Sequence, residues 1–205
     1  MAFVNFEKKE INFKVVYYGP PLGGKTSNLV HLHEVMPEGS KGKLTILSTQ
    51  QDRTLYFDFL PLQSKAIKGF LSRFQLYTVP GQPIYDKTRR IVLTAVDGIV
   101  FVADSQWDKM RDNADSFQDL KDNLKTHGRY LEQIPFVIQL NKRDLPNIAP
   151  VPYLDFLFNH EHVKATCIES VAPQGKGVGP CVNLICKMVM ARFIEQHEVA
   201  VAAAS

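Results

Sequence analysis

The chain has 205 residues, 45% of them apolar, which suits a single domain with a substantial core. Its 24 Lys and Arg stand against 21 Asp and Glu, a formal net charge of +3, and no Lys/Arg-rich run breaks the mixture. That balance argues against a nucleic-acid partner. Cys167, Cys181 and Cys186 are odd in number and lack a C-x-x-C or Cys/His spacing, so they read as buried reduced thiols of a cytoplasmic protein, not as a zinc site or disulfide framework. The N-terminal stretch is charged within its first ten residues and holds no long apolar run, so no signal peptide or membrane span is expected. The Met-Ala start and the "VAVAAAS" end carry no lipidation motif; the expectation is no direct membrane anchor.

Taken in chain order, short apolar runs suited to strands buried on both faces fall at 13–18, 74–79, 98–104, 135–140 and 163–169. Helical patterns lie between them at 25–35, 85–94, within 107–131, and at 180–196. In the last, Pro180 suits a first turn, and Val182, Ile185, Val189 and Phe193 recur on one face. No internal repeat is present, and the Ala-rich end at 199–205 reads as a frayed tail after one domain at 1–198. This alternation implies a three-layer α/β fold with a mainly parallel sheet, in which ligands sit at the carboxyl ends of strands.

The first strand candidate runs directly into "GPPLGGKT", residues 19–26, a G-x-x-x-x-G-K-T pattern that opens a helix. In that context it is a phosphate loop. Gly19 and Leu22 belong to the turn, Gly23 and Gly24 are expected to aim backbone N–H groups at phosphate oxygens, and Lys25 to reach the outer phosphates. The Thr26 hydroxyl can ligate Mg²⁺, and Ser27 can add a backbone N–H near the first phosphate. Pro20 and Pro21 remove two donors early in the loop, where a stiff turn is tolerable.

A phosphate loop alone fits kinases, ATPases and GTPases. "FVIQLNKRDLP" discriminates, because it sets Asn141, Lys142 and Asp144 directly after a strand as N-K-x-D. The Asp144 carboxylate can accept two hydrogen bonds from the guanine N1–H and amine, a pair adenine does not offer. Asn141 is expected to brace neighbouring loops and the Lys142 stem to cover the base. After the last strand, "ESVAPQGKGV" offers the Ala172 N–H to the guanine oxygen, with Ser170 and Val171 shaping the loop. An ATPase or kinase would instead use "GIVFVAD", with Asp104 as a Mg²⁺ partner; the other reading of Asp104 is a strand-end cap for the segment after it.

Together these motifs resemble the Ras-like small GTPases, P-loop NTPases with a single G domain. The strings "GPPLGGKTSNL", "QQDRTLYFDFLPL", "TVPGQPIYDKTRR", "VDGIVFVADSQ" and "NKRDLP" resemble the bacterial MglA subfamily, which controls cell polarity and gliding motility. The resemblance covers roughly 12–197. It implies a GTP/GDP switch with Mg²⁺, in which Gln82 orients the attacking water, Gly81 donates its N–H to the outer phosphate, and Arg53 acts as an arginine finger supplied in cis. The usual D-x-x-G appears as Thr78-Val79-Pro80-Gly81, so a Thr replaces the acidic partner of the Mg²⁺ shell. Thr54 is the candidate switch threonine for the metal, with Thr45 and Thr49 nearby. Leu55, Phe57 and Phe59 alternate with Tyr56, Asp58 and Leu60 on a strand whose second face is expected to meet a partner as the register changes between nucleotide states. The resemblance also implies a homodimeric roadblock-type activator, polarity and motility effectors, and recruitment to a cell pole through them. A nucleotide-locked scaffold without turnover is the competing reading; the Thr78 substitution favours it, and Gln82 and Arg53 oppose it.

Overall fold

The computed structural model describes residues 2–45, 64–67, 69–159 and 164–202. Strand β2 (Glu10–Tyr18) is the centre of the sheet, and the reason is compositional: from Val15 onward its side chains are buried on both faces. On one side it pairs in parallel with β4 (Phe70–Thr78), itself edged by the antiparallel β3 (Ser64–Ile67). On the other side Val15 to Tyr18 pair with β5 (Gly98–Asp104), followed by β6 (Phe136–Asn141) and β7 (Thr166–Glu169), all parallel. The stretch of β2 that β5 does not reach, Glu10 to Asn12, is covered by β1 (Phe3–Asn5) as an antiparallel hairpin.

Two apolar layers sandwich this sheet. On one face α1 (Lys25–Val35) and α5 (Val178–Ala202) pack Leu29, Leu32, Val182, Ile185 and Val189 against Val15, Tyr17, Val100 and Val102. On the other, α2 (Asp86–Leu93), α3 (Met110–Lys125) and α4 (Val151–Phe158) pack Val92, Leu93, Phe117, Leu120, Leu124, Leu154 and Phe158 against Val16, Tyr18, Ile99 and Phe101. Adjacent residues of one strand thus feed opposite layers, as a pleated strand requires. The expected three-layer, mainly parallel α/β architecture is what the chain adopts.

Three elements lie outside the sequence expectation. Strands β1 and β3 are edge pieces of three and four residues, too short for alternation to register. Helix α4 is apolar almost all round, so its helical period has no polar contrast, although Leu154 and Phe158 are spaced for one face and both are buried. Helix α5 also runs to Ala202, through most of the segment expected to fray. Among the described residues no helix is long and apolar enough to cross a membrane.

Candidate guanine-nucleotide site

The loops at the carboxyl ends of β2, β4, β5, β6 and β7 carry the motif residues, the edge where a parallel sheet presents its ligands. The loop after β2 is shaped by close approach. Gly19 has φ of +142°, and a Cβ there would stand 2.2 Å from the Val102 carbonyl oxygen on β5, so only glycine fits. Gly24 caps α1 at φ of +100°, where a Cβ would meet Asn141 Nδ2 at 2.1 Å. Leu22 also takes a left-handed φ, 58°, with its side chain 85% exposed. Left-handed residues on either side of Gly23 give the alternation of hand by which backbone N–H groups can converge on an anion.

Two details differ from expectation. Gly23 has no left-handed φ, and its N–H bonds the Pro20 carbonyl at 3.2 Å, so it tightens the turn from within. Lys25 is buried, with Nζ donating to the carbonyls of Gly19 (2.8 Å) and Pro20 (2.6 Å). Its ammonium therefore lies across the loop's own oxygens. Pro20 and Pro21 form the stiff wall expected of them, and Gly81 is pressed against it: a Cβ at Gly81 would lie 2.4 Å from Pro21 N. Thr26 and Ser27 follow in the first turn of α1, half-buried.

Asn141 joins the base-side loops to the phosphate loop. It is 1% exposed; Nδ2 donates to the Gly23 carbonyl at 2.9 Å, while Oδ1 accepts from the Ala172 N–H at 2.9 Å and from Ser170 Oγ at 3.1 Å. The bracing contact is therefore direct, and it engages the Ala172 N–H, the group expected to meet the guanine oxygen. Val171 is buried with its N–H on the Lys176 carbonyl at 2.9 Å, so it supports the loop from beneath. Arg143 staples the same region through Nε to Glu169 Oε2 (2.9 Å) and through its guanidinium to the Ala149 carbonyl (2.7 Å).

Lys142 takes a left-handed φ of 65°, and its Nζ lies 2.6 Å from Asp104 Oδ2, a carboxylate 1% exposed at the end of β5. The other oxygen of Asp104 accepts the Gln106 N–H at 3.1 Å, the strand-end cap expected of it. Asp104 is thus engaged with Lys142 and its own loop, which opposes the ATPase arrangement. Asp144, two residues beyond Lys142, is exposed in the turn after β6 and unpaired among the described residues.

At the end of β4, level with Tyr17 of β2, the Thr78 hydroxyl is buried and has no hydrogen-bond partner among the described residues. Gln82 is half-buried just beyond, its carbonyl accepting from an Arg89 guanidinium N–H at 2.6 Å. Arg53, Thr54, Thr49 and the alternating segment 55–60 lie outside the described residues, whereas Thr45 is half-buried in a loop. Supporting pairs that the motifs do not announce are Asn28 Oδ1 with Gln139 Nε2 (2.8 Å), and the two-way Asn113 amide bonds to the Asp104 backbone (2.8 and 2.9 Å). A glutamine inside the buried run "FVIQLN" was the available signal, since a polar group there requires a partner.

No family model matches the chain. The mutual gliding-motility protein MglA of Myxococcus xanthus (strain DK1622) is 48% identical to it over 190 residues, covering 93% of this chain and 96% of that protein. With a phosphate loop, N-K-x-D and a Ras-like sheet already in place, identity of that extent over nearly the full length shows that the chain belongs to the MglA family of small GTPases.

Proposed function

We propose that the protein is a GTP-hydrolysing switch that regulates gliding motility or cell polarity, built as one G domain over 1–198. As a small GTPase of the MglA family it binds guanine nucleotide. What supports the finer reading is the Asn141 bridge, which locks the loop for the phosphates to the loops for the base and leaves the Asp144 carboxylate exposed at the same sheet edge.

In this reading the N–H groups around Leu22 to Ser27 and the end of α1 hold the phosphates, and Lys25 turns from its loop carbonyls to neutralise the outer ones. Asp144 accepts the guanine N1–H and amine, and Asn141 keeps the two ends in register. Mg²⁺ favours hard oxygen ligands, and the donor set fits it: Thr26 in the first turn of α1 would hold it, and the Thr78 hydroxyl, without a hydrogen-bond partner among the described residues, is a further hard oxygen at the end of β4. When bound, the ion supplies charge neutralisation between the outer phosphates. Thr54 is the second hydroxyl proposed for it. Gly81 donates its N–H to the outer phosphate, Gln82 orients the water, and Arg53 stabilises the developing charge, a contribution of roughly 10³ to 10⁵ in rate.

The mutual gliding-motility relative supports a motility role, exercised through regulators and effectors; a homodimeric roadblock-type activator that speeds slow intrinsic turnover, and recruitment from the cytoplasm to a pole, complete the proposal. The test is GTP and ATP turnover by wild type, Gln82→Ala and Arg53→Ala, with and without such an activator. Loss of stimulated GTP hydrolysis in both variants is expected. Turnover unchanged in both, or preference for ATP, overturns the reading.

A further inference from the structure

The loop that carries Gln82 is tethered by a polar cluster centred on Arg89, a residue to which the sequence motifs give no role. Arg89 of α2 is 5% exposed, and one of its terminal nitrogens donates to the Gln82 carbonyl at 2.6 Å. The same guanidinium is gripped from α3: its Nε lies 2.9 Å from Asp119 Oδ2, and its other terminal nitrogen donates to Asp119 Oδ1 at 3.3 Å. Asp119 is itself pinned, because Oδ2 accepts the Tyr18 hydroxyl and, at 3.2 Å, the Asn123 amide. Burial and the hydrogen bond to Asp119 push the Tyr18 phenol far above the ordinary range, so it stays a donor. Tyr18 is the residue before Gly19. The chain of contacts therefore runs from the strand that carries the phosphate loop, through α3, to the backbone of Gln82.

Gly81 packs one side of this turn against the Pro20-Pro21 wall, and the other side is open. A cavity of about 350 Å³ borders it, with Pro21, Gly81, Arg89 and Asp119 among its walls. The Gln82 carbonyl also accepts the Tyr85 N–H at 3.2 Å, a local bond within the turn. A planar guanidinium with several fixed donors can bridge a carboxylate on one helix and a carbonyl on a loop at once; an ammonium is a point charge without that fixed fork.

We infer that Arg89, oriented by Asp119 and Tyr18, is a positioning residue that sets the backbone of Gln82 relative to the phosphate loop. The inference rests on the proposed role of Gln82 in hydrolysis. Displacing a water-orienting residue by an ångström is sufficient to slow a reaction up to 10²-fold, so a tether of this kind is worth about tenfold or more in rate.

The experiment is single-turnover GTP hydrolysis by the full chain for wild type, Gln82→Ala, Arg89→Lys, Asp119→Asn and the Gln82→Ala/Arg89→Lys double variant, alongside GTP affinity and thermal unfolding. Arg89→Lys and Asp119→Asn should each slow hydrolysis about tenfold at a GTP affinity within about twofold of wild type, and the double variant should match Gln82→Ala alone. A purely structural Arg89 would instead give a double variant whose losses multiply. That result, or wild-type rates in Arg89→Lys and Asp119→Asn while Gln82→Ala is impaired, overturns the inference alone. Wild-type rates in Gln82→Ala overturn the role of Gln82 and the inference with it. Asp119→Asn keeps shape and two of the contacts, so the comparison stands if Arg89→Lys folds poorly.

Discussion

Replacing Asn141 by Ala removes three hydrogen bonds in one step: to the Gly23 carbonyl, from the Ala172 N–H and from Ser170 Oγ. Each is worth about 1 kcal/mol net, and a buried partner left unsatisfied costs about 1–3 kcal/mol more, so a loss of at least about 3 kcal/mol is expected. The loss should have a second component, because the bridge spans the phosphate loop and the base-side loops. Without it those loops lose their shared reference, and GDP affinity should fall about tenfold or more, equivalent to about 1.4 kcal/mol. Urea unfolding with and without excess GDP separates the two, since ligand adds stability in proportion to the logarithm of its concentration over Kd. A wild-type increment from GDP in Asn141→Ala, or a stability loss under about 1 kcal/mol, would refute the reasoning by showing the bridge replaceable by water.

The Lys142–Asp104 pair should behave as a coupled unit: Lys142→Met leaves a buried carboxylate unpaired and should cost about 3 kcal/mol, most of it recovered by adding Asp104→Asn, whereas additive losses in urea melts would deny the coupling. Gly24→Ala forces a methyl group into the Asn141 amide at a left-handed φ and should weaken GDP binding with a stability loss of about 2 kcal/mol; isothermal titration at wild-type affinity would count against that contact. Burial raises the Cys181 thiol from 9.0 to about 12, so the native state retains a proton that the unfolded chain releases above 9.0. Its contribution to stability is complete below that pH and declines as pH rises towards 12, by up to about 1.4 kcal/mol per pH unit. A slope in alkaline urea melts that Cys181→Ala leaves untouched would exclude this origin.

The sheet was legible because its central strands are continuous apolar runs ending at turn residues, and α1 was legible at both ends because the phosphate-loop pattern fixes its start. The motifs located the candidate site, yet not the direction of its bonds. Whether the Ala172 N–H meets a base or Asn141 depends on a side-chain rotamer at the end of the neighbouring strand, which local pattern does not encode. The same holds for Lys25, whose ammonium has carbonyls of its own loop within reach. Arg89 and Asp119 were silent because an Arg on one helix and an Asp on another are ordinary surface residues until tertiary packing makes them neighbours.

The hairpin of β1 and β2 bears on how the chain is made. Strand β2 emerges from the ribosome long before its lasting neighbours, residues 71–78 and 98–101. Its first half meets a local partner at once, since Phe3 to Asn5 can pair with Glu10 to Asn12 through a short turn. In the folded chain that pairing covers part of an edge of β2 that β5 leaves open. The N-terminal hairpin thus gives the strand that ends at the phosphate loop a pairing partner close in sequence.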